Sequence, residues 1–148
     1  VDEARIQKLL GRLQWLARKN RDDFASDPVL LARFGSNLSE GKHEYVLDPD
    51  VPECGQPDCW NTYRELLARD RNRMRIRLDC EDASAALAGA LSLRGKPALM
   101  GLRPGKKISH AVAGLRDDDG TILLDPAVWA GMKPLSDEQY RQTRWIEV

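Results

Sequence analysis

The sequence predicts an α+β fold in which N-terminal helices, and a helix opening at Cys80, pack on a small antiparallel sheet. Two observations carry this. Apolar residues recur at three- and four-residue spacing near the start of the chain and again after Asp79, while the stretch after Pro97 breaks into short extended runs divided by turn residues. At 148 residues the chain has the size of one domain, so residues 1–148 are read as a single unit that buries roughly two-thirds of its extended surface on folding.

The first helix is expected from residue 2 to about residue 21, with Ile6, Leu9, Leu10, Leu13, Leu16 and Ala17 on one face. Asp2 and Glu3 at its start and Arg18, Lys19 and Arg21 at its end suit the helix dipole. Pro28 opens a second helix carrying Val29, Leu30, Ala32 and Phe34, with Gly35 and Ser36 as its stop. Residues 36–59 hold Gly41, Pro49, Pro52, Gly55 and Pro57 without a sustained period, so a long loop is expected there, with a strand near Tyr45 to Leu47. A third helix is expected from Trp60 to Asp70, with Tyr63, Leu66 and Leu67 inward. Arg69, Arg71, Arg73, Arg75 and Arg77 alternate; they read first as a solvated face and second as a site for an acidic partner.

Asp79 is a good N-cap, and Asp82 follows at capping-box spacing. Ala83, Ala86, Leu87, Ala90 and Leu91 make an apolar stripe of mostly small residues, closed by Gly95 and Pro97, which places a helix over 80–94. Strands are expected over 97–102, 107–115 and 121–125, the last two joined by an Asp-rich turn ending at Gly120. A short helix after Pro134 and a last strand including Trp145 and Ile146 complete the chain.

Composition limits the function classes. Basic and acidic residues balance at 23 each, so no global field draws nucleic acid or an anionic membrane. No run approaches the roughly 18 apolar residues of a membrane span. VDEARIQKLL lacks the apolar core of a signal peptide, so the chain reads as cytoplasmic. Three cysteines leave at least one thiol outside any internal pairing.

Chemistry concentrates at Cys80, His110 and Asp125. A cysteine at the first residue of a helix faces unpaired N–H groups that favour a thiolate and stabilise an oxyanion. His110 falls on an expected strand, and Asp125 ends the next one. Reflecting His110 across the turn reaches residue 126 or 127, so a bulge or looser turn brings Asp125 beside it. Nucleophile, base and orienting carboxylate then stand in the order an activated thiol requires. Opposing this, Asp79, Glu81 and Asp82 surround the thiol with negative charge that raises its pKa.

The runs LDCEDASAALAGALSLRGKPA, ISHAVAGL and GTILLDPAVWAGM resemble the transglutaminase-like superfamily of papain-like cysteine peptidases and amidases. That family shows a helix opening on Cys, a G-x-P-A strand, a His on a strand and an Asp before Pro. The resemblance spans Asp79 to Met132, a little over a third of the chain, and implies a catalytic core over 79–132 preceded by a helical and loop part over 1–78. It implies Cys80 as nucleophile, His110 as base and Asp125 as third member of a triad. The implied activity is cysteine-dependent hydrolysis of a peptide or protein substrate through a thioacyl intermediate, without cofactor or metal. Transfer of the acyl group to an amine is the alternative within the family, where the His is often followed by Trp; here Ala111 follows. Small proteins of this type also resemble ones that accompany bacteriophage structural genes. A non-catalytic accessory protein, virion-associated and with an assembly partner, is therefore a further reading.

Other residues compete. CGQPDCW is similar to the nucleophile run of papain-type proteases, but its cysteines are too far apart, which makes Cys59 the lesser candidate. Cys54 and Cys59 are read as a local disulfide or as loop thiols; with His43 they give three zinc-type ligands, one short of a structural site. Trp60 and Gln56 are the side chains offered as oxyanion donors. Met100 and Met132 are read as core, and Trp129 as either packing or lining the cleft.

Overall fold

The computed structural model describes residues 2–53, 59–106 and 109–148. The expected α+β class is what forms. Among the described residues, helices α1 (Glu3–Ser26), α2 (Pro28–Ser39) and α3 (Tyr63–Asp70) precede α4 (Cys80–Leu91), and α5 (Pro126–Trp129) and α6 (Asp137–Arg141) follow. Strands β1 (His43–Tyr45) and β2 (Ile76–Leu78) pair in parallel. Strands β3 (Ala98–Arg103), β4 (His110–Asp117), β5 (Gly120–Leu124) and β6 (Arg144–Glu147) form an antiparallel sheet in the order β5-β4-β3-β6. No helix among the described residues is long and apolar enough to cross a membrane.

Helix α1 runs five residues beyond its expected end because Asn20 and Phe24 continue its buried face. Asp2 caps it by accepting from Arg5 N. Helix α2 passes through Gly35, contrary to the expected stop. Gly35 keeps helical geometry, and the residue with left-handed backbone is Gly41, at φ 67°. Phe24, Phe34 and His43 then stack, and Tyr63 meets the Phe34 ring edge-on, in one aromatic cluster. Helix α3 begins at Tyr63 and not at Trp60, since Thr62 and Glu65 form a reciprocal capping box.

Helix α4 lies between α1 and the sheet. Its small residues allow this: a Cβ on Gly89 would sit 2.7 Å from the Ala17 carbonyl oxygen of α1, and Ser84 Oγ donates to Ala111 O of β4 at 3.1 Å. The α4-facing side of the sheet carries Met100, Leu102, Ala111 and Ala113. On the opposite side Trp145 lies across Gly101 and Gly114, where a Cβ would come within 2.7 and 2.6 Å of its ring.

The arginine run divides. Arg71, Arg73 and Arg75 are exposed as expected, but Arg77 is buried on β2, a strand the sequence reading missed. Arg77 donates to Asp70 Oδ1 at 2.7 Å and to Glu53 at 3.0 Å, and Arg69 adds a second cation to Asp70. Burial opposes the Asp70 charge, but hydrogen bonds from Arg77 and Arg69 outweigh it and hold the carboxyl well below the usual carboxylate range. A depressed folded pKa stabilises the fold above the unfolded value of about 4. That stabilisation is lost as pH falls through the folded value. Asp70→Asn is therefore expected to cost about 3 kcal/mol at pH 7, since it leaves the buried Arg77 only the half-exposed Glu53 as counter-charge. In urea titrations the gap to wild type should narrow as pH falls below about 4.

Candidate active site

The N-terminus of α4 and the start of β4 converge on a cavity of about 400 Å³. Cys80 and His110 both line it, with Tyr45, Trp60, Asp79 and Glu81 among their neighbours. Asp79 caps α4 through Oδ1, which accepts from Asp82 N at 3.2 Å. The expected capping box is only half made. The Asp82 carboxylate turns away and accepts from Asn61 N at 2.8 Å, which ties the segment before α3 to the start of α4.

His110 and Asp125 meet as the sequence order requires. His110 Nε2 lies 2.7 Å from Asp125 Oδ2, with both side chains about 7% exposed or less. The β4–β5 ladder runs from Asp117↔Gly120 to Ala113↔Leu124 and then stops. Pro126 has no N–H to continue it and opens α5 instead, so the chain turns at Asp125 toward β4. Asp125 Oδ2 also accepts from Tyr140 Oη at 2.7 Å. Tyr140 was not among the sequence candidates; only its position after the Ser136–Gln139 capping box marks the local helix that presents it. Burial, then the Asp125 bond, pushes the Tyr140 phenol up to about 12, so it stays a donor. Asp125 Oδ1 is buried without a hydrogen-bond partner among the described residues.

With Nε2 turned to Asp125, the other ring nitrogen of His110 is the one left for proton exchange. The sulfur of Cys80 does not hydrogen-bond to it. Its S–H donates to Glu81 Oε2 at 3.5 Å, and the Ala111 backbone N–H approaches the sulfur from β4. Cys80 is only 6% exposed. Burial, then the charge of Glu81, pushes the thiol well above the ordinary range, and the Ala111 bond only partly offsets them. The resting group is a neutral thiol.

A carboxyl cluster accompanies it. Asp48, Asp79 and Glu81 bring oxygens within 4.8 Å of one another, and among the described residues this is the one grouping with metal-like spacing. Burial, then repulsion from Asp82, forces the Asp79 pKa far upward, so Asp79 holds a proton and bonds to Glu81 and Asp48. Asp48 also accepts from Cys59 N at 2.8 Å.

The competing candidates fall elsewhere. Cys59 is disulfide-bonded, so it offers no free thiol as nucleophile or zinc ligand; Cys54 and Gln56 lie outside the described residues. His43 is buried with Nε2 2.8 Å from Tyr63 Oη, and desolvation lowers its pKa to about 4, a structural histidine. Trp60 is placed differently. Its indole Nε1 is buried without a partner among the described residues while the ring lines the Cys80 cavity. Trp129 is exposed, and Met100 is fully buried.

The chain matches no protein-family model, no curated protein and no solved structure. The arrangement therefore stands on its own geometry.

Because Glu81 is the first charge acting against the thiolate, Glu81→Gln should lower the pH at which Cys80 ionises and raise its alkylation rate at neutral pH. Thiolate ultraviolet absorbance, with iodoacetamide rates resolved by peptide mass spectrometry, reads this directly. An unchanged titration would mean that burial alone sets the thiol.

Proposed function

We propose that this protein is a cysteine-dependent peptidase or amidase with a papain-like, transglutaminase-like core, using Cys80, His110 and Asp125. The observation that carries the reading is the buried 2.7 Å His110–Asp125 contact, made at the rim of the cavity that a cysteine at a helix N-terminus also lines.

Asp125 fixes the His110 ring and its tautomer, and Tyr140 holds Asp125. Substrate binding expels water, and His110 takes the proton from the Cys80 thiol as the sulfur attacks the acyl carbon. The carbonyl oxygen becomes an oxyanion. Backbone N–H groups at the start of α4 face it, and the Trp60 Nε1–H, which has no other partner among the described residues, is the side-chain donor. His110 then returns the proton to the leaving amine as the C–N bond breaks, which leaves a thioacyl enzyme. Water, deprotonated by His110, attacks the thioester and releases the acid and the thiol. An amine in place of water would make the same centre an acyltransferase. The neutral resting thiol is consistent with a general-base route, in which proton transfer accompanies attack.

One observation favours the reading of a non-catalytic protein that keeps this fold. The Cys80 S–H points to Glu81 and not to His110, within a ring of carboxyl groups. A variant series decides between the two. Release of amine from a library of peptides and peptide amides, followed by mass spectrometry, should be lost in Cys80→Ala. It should fall roughly 10²–10⁴-fold in kcat for His110→Ala, and roughly 10²-fold or more for Trp60→Phe, the size of one lost oxyanion donor. If wild type turns over no acyl substrate, or if Cys80→Ala retains the rate, the catalytic reading fails.

A further inference from the structure

We propose that the site selects an extended polypeptide segment that is neutral at the reacting acyl group and acidic on both sides of it. This deepens, and rests on, the reading of Cys80 as an acyl-transfer centre.

Three cavities follow one another along α1, and each shares lining residues with the next. The Cys80 cavity shares Arg5, Leu9, Arg103 and Ser109 with a second one of about 400 Å³. On its other side it shares Trp60 with a third of about 560 Å³. Arg5, Lys8, Arg12 and Trp15 are exposed at helical spacing and supply one wall of this path. From Arg5 to Trp15, α1 rises about 15 Å, the reach of four or five extended residues at roughly 3.3 Å each.

The charges along the path have a pattern. Lys8 and Arg12 line the cavity beyond Trp60, Arg5, Arg103 and Lys133 line the Cys80 cavity, and Lys106 lies beyond Arg103. None of the six forms an ion pair with a described residue; Arg71, Arg73 and Arg75 form none either, so what sets the six apart is that they line adjoining cavities. Bases and acids are equal in number in the chain, so this is a matter of placement and not of composition.

Arg103 is the clearest case. It stands opposite His110 in the β3–β4 register, its Nε is buried without a partner among the described residues, and the one hydrogen bond its side chain makes among them goes to the Pro104 carbonyl. A guanidinium held this way is short of a bidentate carboxylate. On the far side, the Arg12 guanidinium lies 4.1 Å from the Trp60 ring centroid, held over the ring with its N–H edges free for a ligand.

The acidic groups on the path are Asp2, which caps α1, and the Asp48, Asp79 and Glu81 cluster at the sulfur. That cluster repels a charged acyl group at the centre while the flanks attract carboxylates. It also argues against a single-stranded nucleic acid, whose phosphates would run unbroken past it despite the basic and aromatic walls.

The test uses the full chain carrying Cys80→Ala and fluorescein-labelled peptides of equal length, each with a neutral centre and Glu, Gln or Lys flanks, plus an oligouridylate, read by anisotropy at low salt. The Glu-flanked peptide should bind at least about tenfold more tightly than the Gln-flanked one and weaken as salt rises. Arg12→Gln and Arg103→Gln should each reduce that preference severalfold, without changing the affinity for the Gln-flanked peptide. Arg12 is exposed, so its variant keeps the fold and stands as the independent check should Arg103→Gln unfold. Equal binding of Glu and Gln flanks, or tighter binding of the oligouridylate, overturns the inference. Charge-selective binding without turnover by wild type supports the groove while the acyl-transfer reading fails alone. Turnover by wild type without charge preference does the reverse.

Discussion

The molecule depends on how closely α4 is held between α1 and β4. That closeness follows from the small side chains of its sequence. Gly89 leaves no room for a Cβ against the α1 backbone, and Ser84 bonds the Ala111 carbonyl on the far side. The helix therefore has no freedom to slide. Its first residue is pinned beside Ala111, whose N–H meets the Cys80 sulfur and whose neighbour is His110. Larger residues along α4 would move the sulfur away from the imidazole by the width of a side chain. Packing density and site geometry are thus one property here.

The electrostatics around the sulfur are costly and uneven. Asp48, Asp79, Glu81 and Asp82 gather near one helix start, three of them buried, and the crowding is relieved by the proton on Asp79 and by backbone donors from Asn61 and Cys59. The cluster raises the thiol, and it also couples the chain: Asp82 fixes Asn61, Asp48 fixes Cys59, and both lie beside Trp60. Within one cluster, then, Glu81 weakens the resting nucleophile while Asp48 and Asp82 hold the backbone on either side of the indole. The cations are elsewhere, along α1 and β3.

Much of this was legible in the sequence where the information is local. The α4 segment shows its cap, its small-residue stripe and its terminating glycine, and the three strands after it carry clear turn signals. The order of Cys80, His110 and Asp125 was visible for the same reason. The β4–β5 turn is short, so counting across it came within two residues of the partner of His110; Asp125 reaches the ring not through a bulge or looser turn but because the ladder ends at Leu124 and the chain turns there. What failed was either ambiguous or distant. Gly35 and Gly41 are equally good stops until the burial of Phe34 and the packing of Leu38 carry α2 past the first. Strand β2 was hidden because Arg77, a buried charge, reads as solvent-facing until Asp70 is known to lie against it. Tyr140, Asp48 and the cationic path have no local signature. They enter the site through contacts between segments that only the folded chain brings together.

The central claim is that His110 delivers Cys80 as a nucleophile toward carbonyl carbon. Brief exposure of the protein to p-nitrophenyl acetate, acid quenching and peptide mass spectrometry locate any acyl group. The account predicts acetyl on Cys80 in wild type, formed faster than on any other side chain, and its loss in His110→Ala. An unmodified Cys80 in wild type, or equal acetylation with and without His110, would contradict it.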